Sequence, residues 1–156
     1  MKKILLVMLS AVITLNTAVL ASRYGSWKYR RTVKDGTVIE SVVTRALDSN
    51  MELQWVSGGG VPMIAVTGPY LAGDRDRQVL VRFAMDDYGW DAYEYWDIGS
   101  SGHTIFYTGD LELLTVAAII CDRMVVEITD PYDGEVIREV FDLRGFGPAF
   151  NDWRGN

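Results

Sequence analysis

Five carboxylates and five aromatic rings fall within one run of sixteen residues, MDDYGWDAYEYWDIGS, from Met85 to Ser100. Asp86, Asp87, Asp91, Glu94 and Asp97 are hard oxygen donors of the kind calcium takes. Their spacing does not reproduce a calcium loop with its central glycine and closing glutamate, so solvated acids on a hairpin are expected. Zinc fits less well, because His103 and Cys121 are the single histidine and the single cysteine of the chain. The rings are the more informative half of the run. A turn that exposes Tyr88 and Trp90 between carboxylates could stack on a glycan or anchor a protein. Asp86, Asp87, Tyr88, Trp90, Asp91 and Tyr93 are therefore the expected binding residues.

Covalent chemistry finds little support. Ser100 or Ser101 as nucleophile with His103 as base would lie in a Gly-Ser-Ser-Gly-His loop that lacks a nucleophile-elbow pattern. Cys121 follows Ala117, Ala118, Ile119 and Ile120 at helical spacing, which predicts a buried thiol of raised pKa. No enzyme activity, no cofactor and no bound metal are expected.

The elements that must position these residues are mostly strands. Lys2 and Lys3, the apolar run from Ile4 to Leu15 and Val19-Leu20-Ala21 read as a bacterial signal peptide over residues 1–21, cleaved before Ser22. Position 22 is not the cysteine that lipidation needs, so a periplasmic or secreted protein without stable membrane insertion is expected. The remaining 135 residues suit one β-rich domain, residues 22–156. Without Lys2 and Lys3, 13 basic residues face 21 acidic ones, which disfavours nucleic acid as a partner.

Short β-prone runs separated by turns follow. GSWKYRRTVK places Trp27, Tyr29, Arg31 and Val33 on one face, and Asp35-Gly36 marks a two-residue hairpin. RQVLVRFAM alternates, and in AYEYWDI the same alternation sends Trp96 and Ile98 to the core while Tyr93, Tyr95 and Asp97 face away. Asp110 is an N-cap for LELLTVAAIICDR, a buried helix ended by a basic residue, and PAFNDW suits one short helical turn. The expected architecture is mainly β: an antiparallel sandwich or half-barrel of seven or eight strands, with one buried helix and a short C-terminal helix.

This order of elements resembles the periplasmic type VI secretion accessory family labelled VasI or TagO, and its layout is similar to the invasion-associated locus B family. Arg82-Phe83, Asp86-Asp87 and Trp90 or Trp96 match the strand, acidic pair and tryptophan of the former, and Phe141 to Phe146, FDLRGF, matches its C-terminal signature. The chain departs from it in carrying Trp55 where members often have a cysteine, and in having no cysteine after Cys121, which removes a family disulfide. The resemblance implies a small non-catalytic accessory domain that contacts a periplasmic or envelope protein. A peptidoglycan-binding or enzyme-inhibitor module using residues 85–97 is the alternative.

Overall fold

A computed structural model describes residues 25–74 and 76–155; the signal-peptide reading of residues 1–21 lies outside them. The described residues form nine strands and two helices: β1 Lys28–Lys34, β2 Thr37–Arg45, β3 Glu52–Gly58, β4 Val61–Thr67, β5 Gln78–Met85, β6 Glu94–Ile98, β7 Thr104–Phe106, α1 Leu111–Ile120, β8 Arg123–Thr129, β9 Val136–Asp142 and α2 Phe146–Gly155. All the strands join one antiparallel sheet in the order β1-β2-β3-β4-β7-β6-β5-β8-β9. It is mainly β as expected, but with nine strands rather than seven or eight. The sheet curls until Ala46, past the end of β2, bridges Phe141 of β9. It remains an open half-barrel, because β1 and most of β9 do not meet.

The local signals explain several joints. Asp35 and Gly36 both take positive φ, 50° and 78°, the geometry of the tight turn that matches strand twist. Lys34 and Thr37 then pair across it. Within the sheet, Val79, Val81, Trp96, Ile105, Met124, Val126 and Ile128 point to one core, with Trp96 fully buried as alternation requires.

Trp27, Trp55 and Phe146 form an aromatic knot within this core where both helices meet the sheet, their ring centroids 4.2–5.9 Å apart. Trp55 Nε1 donates to Thr115 Oγ1 at 2.9 Å, which ties α1 to β3. A buried indole N–H without such a partner would be costly.

Both helices differ from expectation. Asp110 does cap α1, accepting from the Leu113 N–H at 2.9 Å. The helix nevertheless stops at Ile120, short of Arg123, which opens β8. The carboxylate of Asp86 accepts from the N–H groups of Asp122 and Arg123 at 2.8–3.2 Å and holds that backbone extended. Nor is α1 a buried helix: Leu114, Thr115 and Ala118 are buried, while Leu113, Val116, Ile119 and Ile120 are exposed. Only one side of α1 meets the core; the other faces outward with its apolar side chains uncovered. The C-terminal helix is ten residues long rather than one turn, with Pro148 in its first turn, where no N–H is needed. No helix among the described residues is long and apolar enough to cross a membrane.

Candidate functional site

The turn between β5 and β6 carries the acidic and aromatic run, and its geometry divides that run. At the end of β5, Asp86 takes φ of 46° and its N–H bonds the carbonyl of Arg123 at 3.0 Å. Its carboxylate is fully engaged by the start of β8, so Asp86 is a clip between strands rather than a contact residue. Asp87 projects into solvent, 3.6 Å from the Arg123 guanidinium. Tyr88 is 75% exposed at the tip. These three residues do not converge with Trp90.

Beyond Gly89 the chain turns back along β5. Trp90 bridges Ala84, and the N–H of Asp91 bonds the carbonyl of Phe83 at 2.9 Å. Glu94, however, pairs with Val81. Three residues lie between Trp90 and Glu94 against two on β5, so the returning chain carries a β-bulge. Its consequence is a change of face. Counting back by twos from buried Trp96 would send Trp90 into the core; the extra residue turns it to the outer surface.

There Trp90 meets a row of charges across three strands. Arg82 of β5 is opposite Glu127 of β8, which is opposite Arg138 of β9. The guanidinium of Arg82 sits 4.6 Å from the Trp90 ring centroid and 4.7 Å from that of Tyr93, and Arg138 sits 4.9 Å from Trp90. Arg82 Nε donates to Glu127 Oε1 at 2.8 Å, and the Tyr93 hydroxyl donates to the same oxygen at 2.8 Å. The hydroxyl of Tyr93, and after it Arg82, hold the Glu127 carboxyl below its usual range against the opposing effect of burial. The same hydrogen bond raises the pKa of Tyr93. Trp90, 36% exposed, is thus an aromatic plate clamped by cations, with Tyr88 exposed two residues earlier in the turn.

Trp90 and Tyr93, foreseen as binding residues, are brought together; Asp91 is exposed beside them. Arg82, Glu127 and Arg138 were not foreseen as site residues. Each reads as an outward polar position in an alternating strand, and only the sheet register sets them in one row.

The other chemistry-bearing residues are apart. Ser101 Oγ accepts from the backbone N–H of His103 at 3.3 Å, and His103 Nδ1 lies 3.3 Å from the carbonyl of Gly68, with the ring edge-on to Tyr70. Cys121 is buried and free at the end of α1. Burial, and then the neighbouring Asp86 carboxylate, raise its thiol pKa. Among the described residues, no three His, Cys, Asp or Glu side chains gather where they could hold a metal ion.

A second surface lies between the helices, a cavity of about 480 Å³ lined by Trp55, Pro62, Val116, Ile119, Phe150 and Trp153. It continues the exposed apolar side of α1.

No family model matches this chain, and no curated protein sequence matches it. Among solved structures, invasion associated protein B from Bartonella henselae is similar, with a TM-score of 0.56 and 19% sequence identity. The match covers 85% of this chain and 92% of that one. At that identity the likeness is one of fold: the chain has the architecture of that Bartonella protein, in keeping with the invasion-associated layout read from the sequence.

Proposed function

We propose that this chain is an exported, non-catalytic accessory domain that docks a periplasmic or envelope protein through the β5–β6 turn. The observation that carries this reading is the clamped Trp90. Its ring is held in place before any partner arrives, so little conformational freedom is lost on binding, and Tyr88, exposed two residues earlier in the same turn, is a second anchor. Export rests on the N-terminal sequence pattern, and the link to an envelope-spanning type VI machine rests on the motifs at residues 82–90 and 141–146.

The test is site-specific photocrosslinking in intact cells, with the crosslinker at Tyr88 and, as a control, at Tyr132, which is equally exposed on the β8–β9 turn. One protein adduct formed from position 88, absent from position 132 and lost with Trp90→Ala, supports the reading. Adducts to peptidoglycan from position 88, or binding of isolated peptidoglycan that Trp90→Ala abolishes, would replace it with the glycan-binding alternative.

A further inference from the structure

The strand β1 ends the sheet, and the charge around it opposes that of the rest of the protein. From Lys28 to Arg45 the first hairpin carries five basic residues against two acidic ones, whereas residues 46–156 carry seven basic against nineteen acidic. Arg30 and Arg45 share Glu52, and Arg31 is near Glu40, while Lys28 and Lys34 stand exposed at the two ends of β1.

The backbone of β1 is open on the same side. In a two-residue hairpin the residues flanking the turn exchange main-chain hydrogen bonds, and such pairs alternate along the ladder. With Lys34 opposite Thr37, the N–H and C=O groups of Lys34, Thr32, Arg30 and Lys28 face β2. Those of Tyr29, Arg31 and Val33 face away, and no strand lies beyond β1 among the described residues. This edge is independent of the β5–β6 turn.

We propose that β1 accepts an acidic, extended peptide segment of a partner protein as a tenth strand. Main-chain bonds to Tyr29, Arg31 and Val33 would supply the pairing. Acidic side chains at alternate positions would face Lys28, Arg30 and Lys34, while apolar ones between them would lie beside Tyr29 and Val33. A second copy of this chain is disfavoured at the same edge, since antiparallel pairing of β1 with itself sets lysine and arginine against lysine and arginine.

The probe is a fluorescent heptapeptide, Glu-Val-Thr-Val-Glu-Val-Glu, titrated into the purified protein, with the same peptide carrying lysine for glutamate as control. The acidic peptide should bind, more weakly as salt rises, and the lysine peptide should not. Val33→Pro removes an outward N–H that β2 does not use, so it should keep the melting temperature and lose at least about tenfold in affinity. The double charge reversal Lys28→Glu with Lys34→Glu should lose as much without touching the backbone. No binding of the acidic peptide, equal binding of the lysine peptide, or full affinity in both variants would overturn the proposal. So would a concentration-dependent dimer that Val33→Pro dissolves, because the occupant would then be a second copy.

Discussion

The guanidinium of Arg82 lies 4.6 Å from the centroid of the Trp90 ring, so the most prominent aromatic of the β5–β6 turn rests on a cation of its own sheet. Its surroundings are intermediate between a free loop and the core. Trp90→Ala should therefore lower stability by about 1–2 kcal/mol, the scale of lost cation–π contact with some buried area. The exposed turn read from the sequence would have left it nearly neutral. Trp96→Ala, which empties a fully buried position, should cost about 3–5 kcal/mol. Tyr88→Ala should stay within about 0.5 kcal/mol of the parent. Urea unfolding of the three variants checks the order, and equal losses for Trp90→Ala and Trp96→Ala would place Trp90 in the core.

Glu127 makes this cluster sensitive to acid. Its carboxyl is held below the usual carboxylate range by the Tyr93 hydroxyl and Arg82, so the folded protein favours the ionised form more than the unfolded chain does. The resulting stability is fully present above the ordinary carboxylate pKa and is lost as pH falls through the lowered folded value. Glu127→Gln should be less stable than the parent at pH 7, with the gap narrowing on acidification below about pH 4.3. Urea midpoints from pH 7 to pH 3 measure it, and a gap independent of pH would rule out the linkage.

Asp130 is a latch for the segment between β4 and β5. It is buried, and its carboxylate accepts from the N–H groups of Ala72, Gly73 and Tyr132 at 2.8–3.2 Å. Asp130→Ala strands those donors and should cost about 2–4 kcal/mol. Hydrogen exchange should show the Ala72 and Gly73 amides losing protection ahead of the β5 and β8 amides. Uniform loss across the sheet would mean that the latch belongs to the global core.

Cys121 should react slowly with a thiol reagent in the native protein, because burial both shields it and disfavours the thiolate. Denaturant should release full labelling, and native labelling should go on rising with pH beyond the point at which an exposed thiol levels off. Rapid labelling at neutral pH would show that the end of α1 opens.

Several elements depend only on near neighbours and are legible in the residues themselves. Asp35-Gly36 dictates its hairpin, Asp110 caps its helix, and period-two alternation sends Trp96 inward, since each follows from local backbone sterics and one half-buried surface. The acidic and aromatic run at residues 85–97 also contains Trp90 and Tyr93 of the candidate site. Which of those side chains act together is a property of the folded sheet. One unpaired residue between Trp90 and Glu94 reverses the face of Trp90, and a bulge leaves no mark in an alternating pattern. Arg82 and Glu127 stand 45 positions apart and meet because β5 and β8 are neighbours in a register fixed by the core they jointly cover. The same long-range pairing took Asp86 from the acidic cluster and made it the clip that ends α1. Local patterns specify faces and turns; the partner across the sheet is chosen by the burial of the whole core, which no short stretch contains.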